Sequence, residues 1–307
     1  MKLLESIGHT PLIYLEHFSE QASAHIYVKH EARNPGGSIK DRAALGYIES
    51  ALASGQLDKN GVVVEATSGN LGIGLAVVCA QKKLRLILAM PASASLERRS
   101  LLKALGAELV LTPAEKGMQG AQDKAAEIMA SVNGAYRPNQ FSNSVGPAVH
   151  YETTGLEIVR ECESLGICPD AFVAGVGSGA TLMGVSRRLK EFFPRAYCAA
   201  VEPAESPVLS AGKAGGHGIQ GIGANFVPEV FDRSLVDGIL TVSTDEAMQT
   251  ARLLMQEESL LCGITSGANV HASMQLARMP EFYGKTIITI APDTGERYLS
   301  TPLFAKD

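Results

Sequence analysis

The sequence predicts an α/β protein built as two three-layer domains with mostly parallel central sheets. Three observations predict it. Short β-branched apolar runs alternate with amphipathic helical stretches over most of the chain, the pattern of a parallel sheet covered on both faces. The alternation lapses once, over residues 133–147, and then restarts. A length of 307 residues suits one large or two medium domains rather than one small core.

The elements follow in order. From Lys40, the residues Ala43, Ala44, Tyr47, Ile48, Ala51 and Leu52 recur at helical spacing, and Gly55 is a natural stop. Val62–Ala66 reads as a strand and is followed by an apolar helix from Asn70 to Gln81. Leu84–Met90 is a second strand, with a helix after it that ends at Gly106. Ala107–Thr112 is a third, with a helix over Met118–Ser131. After the lapse, Tyr151–Leu165 is helical, Ala171–Gly175 a strand, Thr181–Phe193 a helix and Ala196–Glu202 a strand. Gly238–Val242 leads into Ser243-x-x-Glu246, a capping box that opens a long helix. A helix over Ser266–Met279 and a strand over Lys285–Ala291 complete the pattern. The expected domains are 1–145 and 146–307, with Pro203–Pro228 a long functional loop.

Composition narrows the function classes. Apolar residues make up 46 % and charged residues 19 %, and the formal net charge of −5 argues against nucleic acid as the main partner. No apolar run reaches the ~20 residues needed to span a bilayer. The N-terminus lacks the basic-then-apolar pattern of a secretory signal, so a cytoplasmic protein is expected. Five cysteines, an odd number without a C-x-x-C pair, read as reduced and partly buried thiols. Seven histidines show no H-E-x-x-H spacing, and no metal is expected.

Three loops and one lysine carry chemistry. Lys40 stands where a helix begins, in Asn34-Pro-Gly-Gly-Ser-Ile-Lys-Asp-Arg42. Positive potential at a helix N-terminus disfavours a protonated amine, and a neutral lysine can form a Schiff base. A solvated helix-end lysine is the plainer reading. Thr67-Ser68-Gly69-Asn70-Leu71-Gly72 ends a strand where a helix starts, which makes an anion site or an ordinary cap. Gly175-Val-Gly177-Ser178-Gly179-Ala-Thr181 is a second such junction. It also matches G-x-G-x-x-[GA], with Glu202 downstream, so an NAD(P)-binding oxidoreductase is a rival. Thr265-Ser266-Gly267 precedes a third helix, with Ser266 a plain cap or a ligand contact. Two anion sites and a Schiff-base lysine suit pyridoxal phosphate acting on an amino acid.

These residues, with Gln140-Phe-Ser-Asn143, His217-x-Ile-Gln-Gly-Ile-Gly223 and Gly295-Glu-Arg-Tyr-Leu-Ser-Thr301, resemble the O-acetylserine sulfhydrylase (cysteine synthase) family. That family belongs to fold-type-II pyridoxal-phosphate enzymes, tryptophan synthase β-like and close to cystathionine β-synthase. The resemblance runs from Ile7-Gly-His-Thr-Pro11 to Leu303. It implies that Lys40 is the internal-aldimine lysine and general base, and that Asn70 bonds the cofactor's 3′ oxygen. Gly175, Gly177, Ser178, Gly179 and Thr181 would form the phosphate cup, and Ser266 would face the pyridine nitrogen. Thr67, Ser68, Leu71 and Gln140 would line the substrate-carboxylate site.

The resemblance also implies that the cofactor lies in the cleft between a smaller, mobile N-terminal domain and a larger one, with strands in about 13–34 joining the other sheet. The implied reaction is β-replacement on an activated serine through an α-aminoacrylate, most simply cysteine from O-acetylserine and sulfide. Cystathionine, lanthionine or diaminopropionate synthesis and hydrogen sulfide release from cysteine are alternatives. Homodimers are usual in the family, and its members can hold the C-terminal tail of serine acetyltransferase.

Four segments depart from the family pattern. Leu71 stands where threonine is usual, which removes a carboxylate-binding hydroxyl and sets an apolar branch beside the substrate. Ala180 replaces a glycine of the phosphate cup. Asn225 stands where glycine is frequent and brings an amide to the site mouth. Pro292-Asp293 lies in the segment at the pyridine end.

Overall fold

The computed structural model describes residues 1–304. Nine strands run β1 Leu12–Tyr14, β2 His25–His30, β3 Val62–Ala66, β4 Arg85–Pro91, β5 Glu108–Thr112, β6 Ala171–Gly175, β7 Tyr197–Pro203, β8 Gly238–Val242 and β9 Thr286–Ala291. The helices are α1 Glu16–Ala22, α2 Lys40–Ser54, α3 Asn70–Lys82, α4 Leu96–Ala104, α5 Gly117–Ser131, α6 Val145–His150, α7 Leu156–Leu165, α8 Ala180–Phe192, α9 Val208–Ala211, α10 Thr244–Glu257 and α11 Ile264–Ala277. Two compact units result. The first comprises Met1–Ile7 and Asn34–Val145, and the second Gly8–Arg33 and Gly146–Asp307.

In the first unit, β3, β4 and β5 form a parallel sheet in that order. The strands alternate between two apolar faces, as residues in a pleated strand must. Val63, Leu86, Leu88 and Met90 pack with residues of α2, α3 and α4. Val64, Ile87 and Ala89 pack with Ala121 and Ala125 of α5. That gives the unit three layers. Tyr136 adds a parallel bridge to Val63, so the segment before Gln140 runs alongside β3. Helix α2 ends as its sequence requires, with Gly55 at φ +74°.

In the second unit the sheet order is β1-β2-β9-β6-β7-β8, parallel except for the β1–β2 pair. All six residues of β9 are buried, as expected of a central parallel strand. Ile26, Val28, Ala171, Val173 and Ile287 join α10 and α11 in one core. The alternate residues, such as Phe172, turn to the face on which α8 packs. The capping box at Ser243 forms reciprocally with Glu246.

Residues 151–165 are helical, as the sequence predicts, with one local difference: Tyr151–Gly155 is a π turn that joins α6 to α7. Close packing accompanies the widened turn, since a side chain at Gly155 would strike the Arg188 stem and one at Gly184 would strike the Pro147 carbonyl.

Candidate active site

The first unit places Lys40 as the first residue of α2. The loop before it is held by its own groups. Gly37 turns at φ +75° and donates to the Asn34 carbonyl, and Gly36 donates to the buried Asp41 carboxylate. Asp41 thus fastens the loop to the helix that carries Lys40. Gly74 of α3 lies so close that a Cβ there would sit 2.9 Å from the Lys40 carbonyl oxygen. A glycine at that point lets α3 pack against the first turn of α2.

Strand β3 runs directly into Thr67-Ser68-Gly69, and Asn70 opens α3. The Thr67 hydroxyl accepts from the Gly69 amide at 3.2 Å, which closes the turn. The Ser68 carbonyl accepts from Arg98. Asn70 is half-buried at the helix N-terminus, where backbone amides favour an anionic or electron-rich ligand. Gln140 follows the segment bridged to β3, and its side-chain amide makes no hydrogen bond among the described residues.

Leu71 faces inward. It is 2 % exposed and packs in the apolar core shared by α2, α3 and the sheet. Its branch therefore serves the interior of the unit. Leu71→Thr buries a hydroxyl and removes a methyl group, which should cost about 1–3 kcal/mol. A thermal melt that falls by several degrees is the expected outcome.

The second unit places Gly175, Gly177, Ser178, Gly179 and Thr181 at the junction of β6 and α8. The first amides of a helix have no intrahelical acceptor, so this turn offers N–H groups to an anion. The approach is tight. A Cβ on Gly177 would lie 2.3 Å from the Gly221 carbonyl oxygen, and Gly179 turns at φ +85°. Ala180, by contrast, is accommodated as the first residue of α8 and is buried. His150, fully buried, pairs with Thr154 through Nδ1 and with Thr181 through Nε2, at 2.9 and 3.3 Å. It fixes the Thr181 side chain from behind.

Ser266 lies in the first turn of α11, fully buried, and its hydroxyl has no hydrogen-bond partner. The Cys262 thiol beside it, pushed up to about 12 by burial, is a weak partner and does not meet hydrogen-bond geometry. Asn269, one turn further on the same helix, accepts from the Gly175 amide at 2.8 Å and donates to the Ile290 carbonyl at 2.8 Å. It locks the helix of Ser266 to the strand that carries the glycine loop. The segment His217–Gly223 is stitched to both. Gly223 donates to Val176, and the Gln220 carbonyl accepts from Thr265.

Asn225 sits at φ +64°, a left-handed position that asparagine tolerates better than most side chains. Its Oδ1 accepts from Ser206 at 2.7 Å, so that oxygen is committed to the loop rather than to a ligand. Asp293 is buried and accepts from the Tyr298 hydroxyl at 2.5 Å.

The sequence-derived site does not include Asn269 or His150. Asn269 is three residues after Ser266, a spacing that shares a helix face and could have exposed it. His150 acts through Thr154 and Thr181, partners that local periodicity does not reveal.

Glu202, the acid that a dinucleotide-binding reading would assign to ribose, is otherwise engaged. It is 2 % exposed, and its two oxygens accept from the amides of Leu209 and Ser210 at 2.6 and 3.0 Å. Burial also pushes the thiols of Cys79 and Cys162 up to about 12, which leaves them protonated and unreactive at neutral pH. Among the described residues no group of three or more His, Cys, Asp or Glu is placed to hold a metal ion. No helix among them is long and apolar enough to cross a membrane.

The glycine turn and Ser266 of the second unit fit pyridoxal phosphate. The turn before α8 offers the helix's first backbone amides to a phosphate, and Ser266 is a buried hydroxyl without a hydrogen-bond partner among the described residues. Comparison with known proteins agrees. A family model described as "Pyridoxal-phosphate dependent enzyme" matches residues 3–293. A cysteine synthase of Staphylococcus aureus is 47 % identical over 305 residues, covering 99 % of this chain and 97 % of that one. The crystal structure of a cysteine synthase from Entamoeba histolytica superposes with a TM-score of 0.95 at 39 % identity, covering 100 % of this chain and 91 % of that one. A hydrogen sulfide-producing enzyme of Fusobacterium nucleatum superposes with a TM-score of 0.89 at 40 % identity, covering 97 % and 99 %. With its whole length matched in sequence and in fold, this chain belongs to the family of pyridoxal-phosphate-dependent enzymes.

Proposed function

We propose that the protein makes cysteine by β-replacement, with O-acetylserine as donor and sulfide as nucleophile. The observation that carries the reading is Ser266, a wholly buried hydroxyl with no protein partner. Leaving such a group unsatisfied costs about 1–3 kcal/mol, so its natural complement is a ligand atom. The pyridine nitrogen of the cofactor would be that atom. A neutral hydroxyl does not hold the ring nitrogen protonated as a carboxylate would, which suits elimination from Cβ more than chemistry that needs a long-lived carbanion.

Pyridoxal phosphate supplies the electron sink that allows a Cα–H bond to break and a β-substituent to leave. The chain's own groups do the rest. Gly175, Gly177, Ser178, Gly179 and Thr181 bind the phosphate through the helix N-terminus and two hydroxyls. Asn70 orients the ring by bonding the 3′ oxygen. Thr67, Ser68 and Gln140 hold the donor's carboxylate. The Lys40 amine would hold the cofactor's aldehyde and, once freed by the donor's own amine, would be the base placed to take the Cα proton. A cytoplasmic homodimer able to take the tail of serine acetyltransferase goes with this reading, supported by the motif resemblance.

A panel of donors and nucleophiles read by product mass tests it. Cysteine from O-acetylserine and sulfide should exceed every other product by at least about tenfold in kcat/KM, a difference of ~1.4 kcal/mol. If serine with homocysteine, or cysteine alone with release of hydrogen sulfide, is turned over faster, the substrate assignment fails while the cofactor chemistry stands.

A further inference from the structure

We propose that Glu65 is the positioning residue of the substrate-carboxylate site, setting Gln140 in register with Thr67. The inference rests on the assignment of Thr67, Ser68 and Gln140 to the donor's carboxylate, and its test separates the two.

Glu65 lies on β3 and is 4 % exposed. A charge in the interior of a parallel sheet is expensive, and a well-packed apolar residue there would be the more stable choice. The carboxylate is fully engaged. Oε1 accepts from the Ala66 amide at 2.9 Å and from Arg137 Nε at 3.1 Å. Oε2 accepts from the Asn139 amide at 2.9 Å. One buried group on β3 thereby grips the chain seventy-four residues further on, at the position just before Gln140.

Asn139 is the pivot of that grip. It turns at φ +52°, a left-handed conformation that costs a non-glycine residue energy. Its carbonyl accepts from the amides of Ser142 and Asn143, both at 3.1 Å, and its side chain donates to Ser142 at 2.6 Å. Asn143 closes the turn by donating to the Pro138 carbonyl at 2.8 Å. The turn is rigid, strained at one residue and anchored by Glu65. It presents a Gln140 amide that no protein group uses.

On the other side, Thr67 is the first residue past β3, two residues after Glu65, and its amide still donates to the Ala89 carbonyl of β4 at 3.1 Å. The same backbone therefore carries Thr67 directly and Gln140 through the Glu65 carboxylate. Arg137, one quarter exposed, balances the charge, so the anchor does not repel an incoming carboxylate.

The test compares Glu65→Gln, Gln140→Ala and the double variant in the holoenzyme. Glu65→Gln keeps the shape but leaves one oxygen to serve three donors. It should raise KM for the amino-acid donor about tenfold, with kcat changed by less than about threefold, as expected for a lost hydrogen bond to a charged group. The KM for sulfide and the cofactor's absorbance should not change. Because Glu65 acts through Gln140, adding Glu65→Gln to Gln140→Ala should change the donor KM by less than about twofold. Additive effects, or a lower melting temperature with an unchanged donor KM, overturn the proposal. A Gln140→Ala enzyme with normal donor KM overturns the carboxylate assignment itself. Should Glu65→Gln fail to fold, Asn139→Ala strains the turn with the anchor intact, and an unchanged donor KM in that variant overturns the proposal equally.

Discussion

Lys40→Ala should lower kcat for cysteine formation by at least about 10⁴-fold while leaving the protein folded. The two halves of that expectation have separate causes. Turnover needs a primary amine that can carry the cofactor and then move a proton from Cα. Alanine offers neither. Folding depends on groups that the substitution leaves in place. Alanine is the best helix former at the first position of α2. The preceding loop is fastened by Asp41 through the Gly36 amide, and Gly74 packs against the Lys40 backbone rather than its side chain. The melting temperature should therefore move by no more than the effect of about 1 kcal/mol. Steady-state rates and a thermal melt on the same preparation check both halves. A variant that keeps a tenth of wild-type turnover contradicts the assigned role.

The second large effect belongs to Gly177→Ala. The added Cβ would sit 2.3 Å from the Gly221 carbonyl oxygen, far inside van der Waals contact. That oxygen is backbone, in a segment held by Gly223 to Val176 and by Gln220 to Thr265, so it has little room to retreat. Overpacking of this kind costs about 1–3 kcal/mol, and the displaced chain is the turn proposed to bind the phosphate. Affinity for pyridoxal phosphate should fall about ten- to a hundredfold, measured by fluorescence titration of the apoenzyme. Gly216→Ala is the matched control. Its Cβ would meet nothing within 4 Å, and affinity should be unchanged.

Much of the fold was legible because its signals are local. The β-branched run Val62–Ala66, the Gly55 stop and the Ser243 capping box each encode their structure within a few residues, and all three form as read. The departures arise where distant residues decide. The π turn over Tyr151–Gly155 packs against Arg188, thirty-three or more residues away, and helical periodicity does not register it. Strand β2 pairs with β9, so its place in the second unit depends on a partner more than two hundred and fifty residues along the chain. The same holds for the site. Lys40, the Thr67 turn, the glycine turn and Ser266 announce themselves by residue type and by position at a helix start. Glu65, His150 and Asn269 do not, because each hydrogen-bonds a distant segment and has no motif of its own. Leu71 shows the converse. Its departure from the family pattern suggested a substrate contact, and its side chain lies in the core.

Lys40 is the lysine proposed to carry pyridoxal phosphate. Borohydride reduction of the yellow holoenzyme, followed by proteolysis and peptide mass spectrometry, addresses it directly. The predicted result is a single pyridoxyl-modified peptide, with the modification on Lys40. A label on any other lysine, or no label on a protein that nonetheless makes cysteine, would contradict it.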